Sequence, residues 1–595
     1  MNEEIYEPTE AQTEVINRVW RRFEKMREER DRPKKYFDGR DLATYINDSA
    51  NAWNGVIPEE IKASKDDWQS LVFDHITRGK VKALVALVVG SQPYINIIGA
   101  TRRDNRYAWE MNKLFEHEWR ERDERMKNYY QALDCAIKGT VVVEEFYREE
   151  KKKTKEIKSV NHDTGEIKYK EKTEIKGGRG HVDAEIVPLE NFYPNEHQAD
   201  VKSDCIRMSY MSVDEFQKKF GSYPDADKVK RGLRADYLDN IDYKRIAHNR
   251  EDIVEVLKYY NEDDDELIIL ANGVWINPQE GDKVSPLPYD HKRLPFVKTV
   301  FEPADVNEFY GKSLPDLMTG EQETINALLR MMIDKEVLAL NRPLLMGMGA
   351  ELEAGLIEPN AQLSVSEDLS QVRELDIRDI GQSPFSLVEF LVKRSNTNTA
   401  IDPMAQGVHT GRKTASEAQM LDQNSKQMAS SFQLFIFHLL KKRAELRVQN
   451  ICQFYRKPIQ YGALVDQNGN YEYTSSGNIK RAPQYRTVVE DQPGGEPTYL
   501  EISPEILKAN YLIRFEEDFF QSKGEQNREM NAQKLLIESK SNPLLDADEC
   551  TIDWLMAIGK DPKRFYMGQG SEGEVPQALS EMNDQSIGEP PVPTA

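Results

Sequence analysis

VNEFYGKSLPDLMTGEQETINALLRMMIDKEVLALNRP, residues 306–343, holds the most regular pattern in the chain. Ile325, Leu328, Leu329 and Met332 recur at i, i+3, i+4 and i+7, while Glu321, Glu323, Arg330 and Lys335 are polar. That period of about 3.6 marks an amphipathic helix. Pro315 stands in the first turn, where the N–H that proline lacks is unpaired anyway. Asn341, Arg342 and Pro343 close the segment, because proline does not continue a helix. The spacing predicts one long helix over 313–341.

Toward the C-terminus an irregular stretch runs to about Gly381. A short helix over Pro384–Lys393 follows, then a polar loop holding Gly407 and Gly411. Thr414 and Glu417 have the spacing of a capping box, in which each side chain satisfies the other residue's free backbone N–H. The helix they open runs without Gly or Pro to about Tyr455. At 1.5 Å per residue, about 40 residues make a rod of roughly 60 Å, which needs a packing partner along its length. Beyond Pro458 come strand and turn signals, including Asp466–Asn470, then a helical region around Asn527–Ile558. Met567–Ala595 has five acids, no Lys or Arg and a proline-rich end, the composition of a mobile tail.

Toward the N-terminus, Val15, Ile16, Val19, Trp20, Phe23 and Met26 form one stripe over Glu10–Asp31, and Pro33 ends that helix. Two further apolar-periodic regions are Trp68–Val89 and Asn105–Ile137. From Gly139 the pattern changes to strands, with a long lysine-rich hairpin over Lys151–Lys176 around the turn Asp163, Thr164, Gly165. A second strand-rich region, Ile253–Pro295, contains turn signals at Glu262–Glu266 and at Asn272, Gly273. A short helix over Val213–Phe220 lies between them. The fold class is therefore α+β, predominantly helical.

Length and composition bound the function. At about 150 residues per domain, 595 residues make roughly four domains' worth of chain. A hydrophobic share of 39% with 33 Gly and 28 Pro excludes collagen-like and low-complexity classes. The 80 basic and 102 acidic residues give a net charge of −22, so wholesale neutralisation of nucleic-acid phosphates is not expected. Any DNA contact is local or weak. Cys135, Cys205, Cys452 and Cys550 are far apart, which argues against a disulfide framework or zinc site and for reduced thiols. The acidic start, Met1–Glu10, lacks a basic stretch followed by an apolar one, so no secretion signal is expected. The longest apolar run, Ala83–Val89, is far short of the roughly 20 residues of a membrane span.

Catalytic motifs are sparse. Asp163-Thr164-Gly165 spells the aspartic-protease tripeptide, but in a lysine-rich hairpin it reads as a β-turn. Asp263, Asp264 and Asp265 lack further ligands at the spacing of a cation loop and read as a solvated turn. Gly347-Met348-Gly349 has neither Rossmann nor phosphate-loop spacing, so no ATPase motor is expected. No H-E-x-x-H or G-x-S-x-G occurs, and His438, amid Phe435, Phe437 and Leu439, reads as a packed helix residue. The reading assigns no catalytic residue, no cofactor and no metal. The hairpin region 151–179 carries ten Lys/Arg against five Asp/Glu. It reads first as an edge kept soluble by lysines, with contact to an acidic partner protein as the other reading. His409, Arg412 and Lys413 make a small cationic cluster at the mouth of the longest helix, either to meet phosphates or as plain surface.

The order of these pieces resembles the portal, or head-to-tail connector, proteins of tailed double-stranded DNA bacteriophages. Three stretches carry the resemblance: Pro188–Gly221 (PLENFYPNEHQADVKSDCIRMSYMSVDEFQKKFG), Val306–Pro343, and Ile401–Ala418 (IDPMAQGVHTGRKTASEA). Together they combine a Y-G-x-S-L-P helix start, an N-x-P-x-L exit and an A-Q-G…G-R-K-T-A-x-E-A lead into the long helix. The resemblance spans roughly residues 11–566. It implies a wing over 1–312, a first stem helix over 313–341, a clip over 342–382 and a second stem helix over 383–400. A tunnel loop over 401–413, a long wing helix and β-rich wing over 414–520, and a crown over 521–566 complete it. The acidic tail, 567–595, has no counterpart.

By the same resemblance the subunits form a dodecamer at one capsid vertex, a conduit for double-stranded DNA in packaging and ejection. Gln406, His409, Arg412 and Lys413 would line the tunnel loop, and Glu321, Arg330 and Lys335 the stem channel. The partners implied are the terminase large subunit, which supplies the ATPase, the major capsid and scaffolding proteins, and head-tail adaptor or tail proteins. The expected location is the virion, after assembly in the host cytoplasm, with no membrane and no enzymatic activity. The rivals are another head-tail ring or adaptor protein, generally smaller or β-rich, an enzyme with an unrecognised acid-base pair, and a scaffold or interaction protein without a channel.

Overall fold

A computed structural model describes residues 6, 8–90, 95–149, 151–160, 167–175, 180–230, 253–277, 283–346, 358–364, 373–375, 377, 380–399, 415–456, 458, 460–463, 481–484, 486–490, 498–515, 524–539, 550–551 and 554–555. The fold is mixed α and β, with helix the larger share. The chain divides into two compact units, Met1–Gly90 with Ile97–Ile513, and Ser91–Asn96 with Arg514–Ala595. In the second, the helix Gly524–Ser539 is the main described element.

The helix Glu10–Asp31 has the bounds its stripe predicts. It also has a capping box the stripe does not reveal: Gln12 N donates to Thr9 Oγ1 at 3.2 Å, and Thr9 N donates to Gln12 Oε1 at 3.1 Å. Its buried residues Val19, Phe23 and Met26 cover one face of a five-stranded antiparallel sheet, against Tyr193, Ile206, Met208, Leu257, Ile268 and Leu270. The strands run in the order Val274–Trp275, Glu266–Ala271, Ile253–Asn261, Asp204–Ser212, Phe192–Pro194. The predicted turns at Glu262–Glu266 and at Asn272, Gly273 join the first three of these. Asp265 and Asn272 take the left-handed backbone such tight turns need. The helix Val213–Phe220 lays Phe216 and Phe220 on Val254, Val256 and Ile269.

A three-stranded antiparallel sheet is ordered Phe296–Val300, Thr140–Arg148, His181–Val187. Val142, Val187 and Phe296 join Phe37, Tyr45, Cys205 and Tyr260 in one core that unites both sheets. Gly139 links this sheet to the preceding helix at φ +82, and a Cβ there would lie 2.3 Å from Gly311 O. Glycine is required at Gly139 by conformation and by space together. Gly139 O accepts from Phe301 N at 2.9 Å, and Gly311 N donates to Thr140 Oγ1 at 2.9 Å. These bonds set the start of the next helix beside the sheet.

Several elements differ from expectation. The periodic region 105–137 divides into helices Ala108–Glu121 and Glu124–Lys138, because Asp123 adopts left-handed backbone at φ 49. In the region 68–89 only Ile76–Gly90 is helical, since the residues before it have their backbone groups taken by side chains of another helix. Leu42–Asn54 is a helix that the periodicity reading passes over, capped by Asp41 at its start and Gly55 at its end. The stretch after Pro343 holds a small sheet: Leu344–Met346 pairs in parallel with Gln362–Ser364 and antiparallel with Arg373–Glu374. The Thr414–Glu417 box, the Asp163–Gly165 turn and the tail 567–595 are not covered, since Thr414, 163–165 and the tail lie outside the described residues.

Candidate functional site

The helix Leu314–Leu340 begins inside the core. Ser313 is its N-cap, and its Oγ accepts from Asp316 N at 3.2 Å. The same hydroxyl meets Tyr45 Oη at 3.2 Å and Ser49 Oγ at 3.0 Å, while Ser313 N donates to Tyr45 Oη at 2.7 Å. Asp316 accepts from Arg40 at 2.6 Å. Tyr310, Leu314 and Pro315 are buried. Each residue that gives the Y-G-x-S-L-P motif its character thus fixes where and in what direction the helix leaves the core.

One side of this helix grips the segment 65–77 by its polar groups. Gln322, Asn326, Arg330 and Asp334 are four residues apart and so lie along one stripe. Gln322 accepts from Thr77 N at 3.1 Å and donates to Asp74 O at 2.6 Å. Asn326 accepts from Asp74 N at 2.8 Å, and Arg330 donates to Val72 O at 2.9 Å. Asp334 accepts from Ser70 N and from Lys65 Nζ, both at 2.5 Å. The segment 70–75 has no helix or strand partner for its backbone, and this ladder supplies one.

The helix Gln382–Thr399 packs on the first and returns beside its early turns, with Arg394 4.0 Å from Glu321. Lys80, with no exposed surface, donates to Ser395 Oγ at 2.7 Å and Thr399 Oγ1 at 2.8 Å. Burial pushes the Lys80 amine down to about 8, against the pull of the Glu321 carboxylate. The same N-terminal stretch therefore holds both helices, one through backbone groups and one through a buried amine.

The helix Ala415–Phe454 is anchored by charge as well as by apolar packing. Arg443 and Arg447, one turn apart, share Glu124 and Glu145. Arg443 donates to Glu145 at 2.7 Å and to Glu124 at 2.5 Å; Arg447 donates to Glu124 at 2.6 Å and Glu145 at 3.2 Å. Asn128 and Gln131 accept from Arg443 at 2.7 and 3.0 Å, and Trp119 faces both guanidinium groups. All four charges are buried. Burial pushes Glu124 up, but the two arginines outweigh it and bring its carboxyl down to about 2. Glu145 stays raised, because burial outweighs the same arginines there. His438 is on the exposed side of this helix rather than packed.

Of the stem residues, Glu321 lies between the two helices, Lys335 is exposed, and Arg330 is buried in the ladder. The expectation that all three line one channel wall is corrected for Arg330. Nine residues from Glu321, at about 100° each, place it on the opposite side of the helix. Gln406, His409, Arg412 and Lys413 lie outside the described residues. The ladder, Lys80 and the paired arginines are absent from the sequence reading, although polar residues repeating at i, i+4 beside an apolar stripe are a usable signal for the first. Both helices also carry large apolar side chains at the surface, with Leu340 81%, Met331 65%, Phe390 59% and Phe385 52% exposed. Among the described residues no three His, Cys, Asp or Glu are grouped to hold a metal ion, and no helix is long and apolar enough to cross a membrane. Neither the models of known protein families nor the curated proteins contain a match to this chain.

Proposed function

We propose that this chain is the subunit of a portal, or head-to-tail connector, which forms a dodecameric ring at one capsid vertex of a tailed double-stranded DNA bacteriophage. The observation that carries the reading is the order and surface of the helices. A 27-residue helix starts in the core, a small sheet follows, an 18-residue helix returns along the first, and a 40-residue helix comes after it. The first two leave Met331, Leu340, Phe385 and Phe390 exposed. Exposed apolar side chains on long helices are what a side-by-side contact between copies buries, and such a heterologous contact closes into a ring when its rotation closes.

On this reading double-stranded DNA passes through the ring in packaging and ejection, and the chain catalyses nothing itself. The terminase large subunit provides the motor and docks at residues 342–382. Capsid, scaffolding and adaptor or tail proteins bind elsewhere on the ring. A net charge of −22 per subunit suits a wall past which a polyanion must slide. Arg412 and Lys413, repeated around the ring, provide loose local contacts to phosphate.

Electron microscopy of the purified protein, with sedimentation velocity on the same sample, tests this. The expected result is a hollow ring of about twelvefold symmetry. A compact closed oligomer without a channel overturns it.

A further inference from the structure

We propose that the lysine-rich hairpin is an arm that docks on the acidic surface of a second copy of this chain. Strands Lys151–Val160 and Ile167–Ile175 pair antiparallel and, among the described residues, only with each other. The strands before and after them pair directly, with Arg148 opposite His181. The hairpin is thus an insertion that leaves and rejoins the three-stranded sheet at one point. Ten residues at about 3.3 Å each reach roughly 33 Å. A lone two-stranded hairpin is marginal in water and gains stability from a surface laid against it.

The register sorts its residues into two unlike faces. Up to the irregularity between Ile157 and Ser159, Lys151, Lys153, Lys155 and Ile157 are opposite Ile175, Thr173, Glu171 and Tyr169. Cross-strand partners share a face and successive residues alternate. One face therefore holds three lysines, one glutamate, one threonine and all the apolar residues of this section, Ile157, Tyr169 and Ile175. The other holds Lys152, Thr154 and Glu156 with Glu174, Lys172 and Lys170, in which Lys152 is opposite Glu174 and Glu156 is opposite Lys170. The second face is largely self-compensating. The first suits a surface that is acidic and partly apolar.

The rest of this chain is rich in the acid that such a surface needs. Taking ten basic and five acidic residues of 151–179 from 80 and 102 leaves 70 and 97, a net charge of −27 outside the arm. A nucleic acid or anionic membrane that meets the base of the arm also faces that acidic body within a Debye length and is repelled there, whereas a second copy contributes the acid the arm lacks. The inference rests on the assembly proposed above.

Two variants with equal charge change test it by sedimentation velocity: K151E/K153E/K155E on the first face and K152E/K170E/K172E on the second. The first is expected to need about tenfold more protein to assemble than the wild type, and the second much less than that. Carbodiimide coupling of a mixture of isotope-labelled and unlabelled wild type is expected to join Lys151, Lys153 or Lys155 of one copy to a carboxylate of another. Equal shifts in both variants, or coupling only within one copy, overturn the arm. So does duplex DNA or phosphatidylserine-vesicle binding that K151E/K153E/K155E abolishes while assembly is unchanged. Wild type that assembles indifferently to both variants defeats the arm alone, whereas wild type that never associates defeats the assembly reading as well.

Discussion

Arg443 and Arg447 hold the C-terminal third of the long helix through charges that water does not reach. Two guanidinium groups balance two carboxylates, with Lys127 also 2.9 Å from Glu124 at the edge, and each buried member depends on the others, because an unpaired charge in that medium costs several kcal/mol. Arg447→Met is expected to lower stability by about 3–5 kcal/mol in urea unfolding at neutral pH. The acid side gives a second reading of the same change. The two arginines hold the Glu124 carboxyl below its ordinary 4.5 in the fold. Its stabilisation is complete above 4.5 and lost as pH falls below that value. With one arginine gone the folded value rises, so the variant's acid unfolding midpoint moves upward. A variant with wild-type urea and acid midpoints refutes the shared-pair account.

At the scale of elements, the ladder from Gln322 to Asp334 explains why 70–75 holds its place without belonging to helix or strand. Side chains of the helix do for this segment what a neighbouring strand does in a sheet, satisfying N–H and C=O groups in turn. Asn326→Leu leaves Asp74 N without its acceptor and is expected to cost about 1–3 kcal/mol. Hydrogen exchange locates the effect: amides of 70–77 exchange faster, while those of the strand Ile253–Asn261 do not. Uniform acceleration across both would mean global destabilisation, and no acceleration at 70–77 would mean the ladder does not hold the segment.

Across the whole molecule, the exposed apolar residues of the two neighbouring helices sit on a chain that is otherwise strongly acidic. Copies of net charge −22 repel at long range, so association depends on contacts that are apolar or locally complementary. Leu340→Glu with Phe390→Glu, both changes at exposed positions, is expected to leave the monomer's thermal midpoint within about 2 °C. The same pair is expected to abolish most of the assembled fraction in sedimentation. Full assembly of this variant would place the contact between copies elsewhere.

Local order determined much of this. The stripe from Val15 to Met26, the proline at 315 and the turn residues at Glu262–Glu266 and Asn272, Gly273 each state their structure within a few neighbours. The helices and turns there follow as read. Capping, period and turn chemistry act over a turn or two of chain, so one sequence displays them. The ladder, the buried amine of Lys80 and the four charges around Glu124 join residues more than two hundred and forty positions apart. No short-range pattern encodes which polar residue finds which partner. Arg330 shows the consequence, since its place in the sequence reads as a polar helix face and only the packing of 65–77 makes that face an interior one. Asp123 is the local counterpart: a non-glycine residue in left-handed backbone breaks a continuous apolar pattern because the packing of the two helices on each other outweighs the small cost of that conformation. The kinds of elements and their order were properties of the sequence. Their polar locks, and the faces left apolar at the surface, were decided by tertiary contact, where burial turns a weak polar preference into a strong one.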